Sequence, residues 1–426
     1  MRLVSPLALS LMLALAGTSV VSPAVAKEKA AKPAKTEYSP AFVKVAQEIQ
    51  KLDQAKDYAG VKAKLDEAAA AASTPDDKML VGQFRLNTGT GLNDPAMQRQ
   101  GLKEILASGR APVGEEAKFN FFAGKLAFDA KDYDDAQPYL QKAADGGYDP
   151  GSSSLLIAET YFQKAIAASG GTGQLNDASK PVAAQGLPYL KRAIEAEKAA
   201  GKAVPANWYD RGFSIAYLTG SPDAAEWSKQ NLAANPSGKN WRNLLVTFQN
   251  GTPNLTRGEN LDLLRLMRRT GSLEGGGYGE YVDIATKSGL LGEVKSVIDE
   301  GRAAGKLSSG QMQDYYAPAV EGIAKDKASL TASAASAEKA ATGKPAAATA
   351  DAYLSYGDYA KATELYRTAL QKGSVDANEI NTRIGISQAL AGDSAGAKSA
   401  FEAVTGGARK SIAEYWLLWL STKQAA

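Results

Sequence analysis

The chain has 426 residues, with 49 Lys plus Arg against 46 Asp plus Glu, 44% hydrophobic residues, and neither Cys nor His. Those two absences exclude an imidazole-based catalytic triad, a Cys nucleophile, a Cys/His zinc site and any disulfide framework. The apolar fraction is enough for a sizeable core, and the near-balance of charge gives no net drive toward nucleic acid.

The N-terminal 26 residues read as a secretory signal peptide: Arg2, a short apolar run from Leu7 to Ala16, and a small-x-small pattern at Ala24-Val25-Ala26. Cleavage near Ala26 would start the mature chain at Lys27, and a periplasmic or secreted location is expected. No later stretch is long and apolar enough for a transmembrane anchor. Residues 27–38 open with the charged, Ala-rich KEKAAKPAKT and read as a flexible tether.

From Ser39 the signal is helical, with apolar residues at steps of three and four and almost no β-branched alternation. A motif recurs: a small residue, a large one four positions on, and another small or aliphatic one three further. It occurs as Ala136/Leu140/Ala143, Ala362/Tyr366/Ala369, Ala397/Phe401/Val404, Val61/Leu65/Ala68 and Gly186/Leu190/Ala193. Twelve residues before the leading small position stands another small residue, as in Gly124, Gly212, Ala350 and Gly385. This places two small side chains on adjacent antiparallel helices, whose axes then approach closely while the larger residue fills the space beside them.

The intervening turn recurs as Lys56-Asp57-Tyr58, Lys131-Asp132-Tyr133, Gly357-Asp358-Tyr359 and Gly392-Asp393-Ser394. The Asp is placed to accept from the free amides of the second helix, and a preceding Gly suits a left-handed end to the first. Ala362 and Ala397 are 35 residues apart, close to a helix-pair period.

These segments resemble tetratricopeptide repeats (TPR). The copy from Pro205 to Pro236 carries Trp208, Gly212, Ala224 and Pro236 at the family's Trp, Gly, Ala and Pro positions, with Ser228 where an aromatic is usual. The resemblance implies an all-α fold, a right-handed superhelical α-solenoid of antiparallel helix pairs in which each repeat packs on its neighbours, in an exported bacterial protein of this kind. The expected layout is a main array over 39–328 with an insertion at 169–181, a low-complexity linker or thin repeat over 329–349, and a C-terminal repeat pair with a capping helix over 350–426. The segment from Arg409 to Gln424, with Ile412, Tyr415, Trp416, Leu418, Trp419 and Leu420, would form that cap, and a joint is placed near Lys344.

In such proteins the groove is lined by five positions of each repeat's first helix. The resemblance carries these onto Lys118, Phe121, Lys125, Phe128 and Asp129, and onto Ala206, Tyr209, Phe213, Ala216 and Tyr217. Lys125 stands where a clamp for a peptide C-terminus would need Asn. A glycine-rich run, Gly275 to Gly279, lacks the neighbours of a phosphate loop and reads as a flexible connection; Arg265, Arg268 and Arg269 read as solvent-facing residues at a helix C-terminus.

The function expected is a non-catalytic periplasmic scaffold that binds an envelope or secreted protein, as peptide or helix, through the solenoid groove, with no cofactor, no metal and no nucleic acid. The alternative is a cell-wall glycan or polysaccharide binder that stacks sugars on Trp208, Tyr209, Trp227, Trp241, Tyr278 and Tyr281. A carboxylate-dependent envelope hydrolase comes third.

Overall fold

The computed structural model describes residues 36–171 and 173–424, and every regular element among them is a helix. The proposed signal peptide and cleavage site, and the tether as far as residue 35, lie outside the described residues. The fold is all-α, an α-solenoid of antiparallel helix pairs, and its described residues divide into two compact units, those up to 111 and those from 112 onward. Lys344, where a joint was expected, opens a helix inside the second unit.

The first unit holds α1 (Pro40–Gln54), α2 (Tyr58–Ala71), α3 (Pro75–Gly91) and α4 (Pro95–Ala107). Pro40, Pro75 and Pro95 each stand in a first turn, where a missing N–H costs nothing. Thr74 and Asp77 form a reciprocal capping box at the start of α3. The α3/α4 pair is pressed backbone to backbone: a Cβ built on Gly101 would lie 2.5 Å from the Leu86 amide nitrogen and 2.6 Å from the Gly82 carbonyl oxygen. No larger residue fits there without moving a helix.

The second unit continues with α5 (Glu116–Asp129), α6 (Tyr133–Asp145), α7 (Pro150–Ala168), α8 (Lys180–Ala184), α9 (Leu187–Ala199), α10 (Ala206–Thr219), α11 (Ala224–Ala234) and α12 (Gly238–Gly251). Then come α13 (Arg257–Arg269), α14 (Gly275–Lys287), α15 (Leu291–Ala303), α16 (Gln313–Lys339), α17 (Lys344–Ser355), α18 (Tyr359–Lys372), α19 (Ala377–Ala391), α20 (Ser394–Glu402) and α21 (Gly407–Gln424).

The recurring turn has one construction in both units. Asp57, Asp132, Asp358 and Asp393 each accept at the side chain from the amide three residues on. The residue before each Asp is left-handed, as Gly at 357 and 392 and, at some steric cost, as Lys56 (φ 57°) and Lys131 (φ 61°). The small residues of the paired helices do face a large partner: a Cβ on Gly385 would fall 2.5 Å from the Phe401 ring, and one on Gly124 2.7 Å from Leu140 Cγ.

The second unit departs from a stack of nearest neighbours. Its C-terminal helix α21 packs on α19 and α20 as a cap should, and it also packs on α13, as does α19. Phe248 of α12 meets Tyr415 of α21 edge to face with ring centroids 5.3 Å apart, and Trp416 Nε1 donates to the Asp262 carbonyl at 3.3 Å. One hydrophobic core consequently runs from Leu232 to Leu420. The helices from α13 onward close on themselves, and the neighbour-only packing expected of the C-terminal repeats is corrected on that point.

At the closure lies a buried ion network. The side chain of Asp262 is fully buried and accepts from Arg265 Nη1 and from Arg409 Nη1, each at 2.7 Å, with Arg383 Nε 3.7 Å away. Arg383 also reaches Asp351 at 2.9 Å and Glu379 at 2.8 Å, and Arg409 shares Glu379 at 3.2 Å. Burial pushes the Asp262 carboxyl up, but Arg383, Arg409 and Arg265 together outweigh it and hold the group below the usual carboxylate range.

Two local expectations change as well. Arg265 is only 3% exposed and inside this network, because α13 is covered on every side from Leu261 to Met267, its polar stripe included. The run Gly275 to Gly279 forms the first turns of α14, since burial of Tyr278, Tyr281, Val282 and Ala285 overrides the poor helix propensity of glycine. The low-complexity stretch 329–349 is divided between the end of α16 and the start of α17.

Candidate functional site

In the first unit an open cavity of about 500 Å³ lies along α1 and α3. Its placement follows from Asp77, whose buried carboxylate accepts from the Ser39 amide (3.1 Å), the Ser39 hydroxyl (2.8 Å) and the Ser73 and Thr74 amides (3.0 Å each). One side chain thus ties the start of α1 to the start of α3. Burial raises the Asp77 carboxyl, but these hydrogen bonds prevail and hold it below its ordinary value.

The groove floor is apolar, built from Phe42, Leu80 and Phe84, with Tyr38 at one end. Carboxamides stand along both sides. Gln47, Gln50 and Gln54 follow one another at steps of three and four on α1, which puts them on one face, and Gln83 and Asn87 are four apart on α3. None of the five side chains hydrogen-bonds to another described residue, and Gln83 is 92% buried (8% exposed) in that state. A carboxamide both donates and accepts, as a peptide group does, so the two rows offer unfilled pairing capacity above an apolar floor. Asp53 is the one ionisable acid on the wall, and burial pushes its carboxyl up.

A second open cavity, of about 560 Å³, is lined by α13, α14, α15, α16, α17, α18 and Leu390 of α19 in the closed part of the second unit. Its wall is cationic, carrying Arg265, Arg268, Arg269, Lys295 and Lys327 against Glu293.

Neither cavity is lined by the residues carried over from the repeat resemblance. Phe121 is buried among Phe122 and Tyr148, with ring centroids 5.4 Å from each. Phe128 is half-buried against Tyr133 at 5.5 Å. Tyr209 and Phe213 are buried in the core between α9, α10 and α11, with Ala216 beside them. On the surface, Lys118 is paired with Glu115 at 2.7 Å and Lys125 with Asp129 at 2.5 Å. Tyr217 alone among the aromatics of that set presents a largely open ring, 48% exposed. The charged members of the set sit together on α5, and the aromatic ones serve mainly as core.

The rings suggested for sugar stacking are likewise core residues: Tyr209, Trp227, Trp241, Tyr278 and Tyr281 are all at least nine-tenths buried, and Trp208 is half-buried. Among the described residues no group of three or more acidic side chains is placed to hold a metal ion, and no helix is long and apolar enough to cross a membrane.

The groove carboxamides went unnoticed in the sequence because Gln83 and Asn87 come to face α1 only through packing. The spacing of Gln47, Gln50 and Gln54 on the polar side of an amphipathic helix was the available signal.

No family model matches the chain, and no curated protein matches it. Among solved structures, it is similar to the TPR domain of P58(IPK), at 14% identity over 83% of this chain and 99% of that one, with a TM-score of 0.23. It is similar also to yeast Tom70, at 10% identity over 90% and 88% of the two chains and a TM-score of 0.24. Human IFIT1, in a structure of its dimer with PPP-AAAA, matches at 13% identity over 85% and 81%, with a TM-score of 0.21. Superpositions at this level carry no argument about function, and the fold assignment rests on the helix pairs themselves.

Proposed function

We propose that the chain is a non-catalytic scaffold that holds an extended segment of another protein in the groove along α1 and α3. The observation that carries this reading is the set of five carboxamides without an intramolecular partner, flanking an apolar floor. An extended peptide presents alternating backbone donors and acceptors and alternating side chains. The carboxamides answer the first and the Phe42, Leu80 and Phe84 floor the second. The N-terminal signal pattern supports export, and the partner is then an envelope or secreted protein.

The test is selection of unstructured peptides from a displayed random library by the full chain, repeated with Gln47→Ala, Gln50→Ala and Gln54→Ala combined. All three side chains are exposed and unpaired, so the triple variant should melt like the parent. Peptides enriched by the parent and lost by the variant support the reading; no enrichment, or equal enrichment by both, overturns it.

A further inference from the structure

The groove along α1 and α3 is lined by apolar and carboxamide side chains, with one carboxylate among them, that of Asp53. Its side chain has no hydrogen bond and no cation within 4.0 Å among the described residues. Lys51 stands two positions earlier on α1, off the face that Asp53 occupies, and Lys64 of α2 is taken by Glu48 and Glu67. Neither oxygen of Asp53 is sealed from solvent, so both can be reached from the cavity.

The place of Asp53 in its helix gives it no internal use. It lies in the last turn of α1, where the free carbonyls carry partial negative charge and favour a cation over an acid. It is half-buried; burial pushes its carboxyl up, and no neighbouring charge pulls it back. Glu48, Asp77, Asp177, Asp262 and Asp299, by contrast, are each held below their ordinary values by a hydrogen bond or a cation. A carboxylate partly stripped of water gains more from an arriving cation than a fully solvated one does, and the helix end adds to that attraction.

We propose, on the peptide reading of this groove, that the bound segment carries a Lys or Arg side chain that pairs with Asp53 while an apolar side chain sits on the floor of Phe42, Leu80 and Phe84. Phe42 and Asp53 are separated by about three helical turns, so they share one face of α1 at a spacing of about 16 Å. An extended chain rises about 3.3 Å per residue, which sets the basic side chain about five positions from the apolar one. Gln47 and Gln50, between the two on α1, line the stretch that the intervening backbone crosses.

Selection of displayed random peptides by the full chain tests this, with both peptide ends held in flanking sequence. Enriched peptides should carry Lys or Arg above library frequency, about five positions from a large apolar residue. Selection by Asp53→Lys should replace that preference with one for Asp or Glu at the same spacing. Asp53 gives up no pair on substitution and a cation suits the end of α1, so this variant should melt like the parent.

An enriched peptide, synthesised with an acetylated N-terminus and an amidated C-terminus, should bind about threefold to tenfold more weakly when norleucine replaces its basic residue. That difference should shrink as salt is raised and disappear in Asp53→Asn. Enrichment without a basic preference, or a preference unchanged in Asp53→Lys, overturns the assignment of Asp53 and leaves the peptide groove standing. Binding that is lost on acetylation overturns it as well, since the terminal amine then takes the place given to the side chain. No enrichment by the parent overturns both readings.

Discussion

Arg409 of α21 donates to the carboxylate of Asp262 of α13 at 2.7 Å, joining residues 147 positions apart in the chain. Asp262 is the only carboxylate that Arg265, Arg383 and Arg409 all approach within 4.0 Å among the described residues, and each of the three comes from a different helix. Its removal would take the shared counter-ion from three buried cations at once, leaving Arg265 with Glu293, Arg383 with Asp351 and Glu379, and Arg409 with Glu379. Asp262→Ala should cost about 3–5 kcal/mol, the usual penalty for breaking a buried ion pair by deleting one partner. Urea unfolding measures this, and Trp416 and Trp419, stacked edge to face at 5.4 Å on α21, report the event by fluorescence. A loss below about 1 kcal/mol, the level of a surface pair, would mean that the network does not hold α21 in place.

The same carboxylate sets a pH dependence. Its folded-state pKa lies below the ordinary value, as does that of Asp77 in the first unit. An unfolded aspartate titrates near pH ~3.9, so the stabilisation is fully present above that value and is lost as pH falls through the lower folded pKa values. Stability measured by urea unfolding should fall steeply below about pH 4, and Asp262→Asn should flatten that slope for the second unit. An unchanged slope in the variant would assign the acid sensitivity elsewhere.

Burial reassigns two residues of the repeat-derived set. Tyr209→Ala and Phe213→Ala should each destabilise the second unit by about 3–5 kcal/mol, because both remove a large side chain from the core of α9, α10 and α11. Tyr217→Ala, at a ring 48% exposed, should stay within about 0.5 kcal/mol. Chemical denaturation of the three variants separates the cases, and comparable small effects at all three sites would contradict the packing.

Gly101 offers a test in the first unit. The atoms that an added Cβ meets are the Leu86 and Gly82 backbones, which cannot rotate away as a side chain can. Gly101→Ala should therefore lose about 1–3 kcal/mol through overpacking, in spite of the gain in helix propensity. A variant as stable as the parent, or more so, would show that α3 and α4 are less tightly apposed.

Local chemistry was readable directly from residue order. The four Asp caps act over three residues, and the small-to-large pairs such as Gly385 with Phe401 lie on consecutive helices, so spacing alone locates them. The closure of the second unit was not readable in this way, since nothing near Asp262 in sequence points to Arg409. Asp262, Arg265 and Arg269, at steps of three and four, form a polar stripe on α13 that reads in sequence as a solvated face, and only packing brings Arg383, Arg409 and Glu293 onto Asp262 and Arg265. The groove of the first unit lay between these extremes, with the α1 glutamines legible as a row and their α3 counterparts revealed only by packing. For the aromatics Phe121, Tyr209 and Phe213, helix-face position did not separate a lining residue from a core residue, because a repeat's first helix contacts neighbours on more than one side.

Bolting α21 to α13 also limits how the second unit can change length. An open stack accepts a duplicated helix pair anywhere, because each newcomer simply presents a fresh face to the next. Between α13 and α21 an extra pair would displace Arg409 from Asp262 by about the 8–10 Å separation of packed helices, unfastening the clasp. Insertions and deletions in this stretch should be tolerated in the connecting turns and not as whole repeats, so the number of helices there is fixed by the same contacts that hold them together.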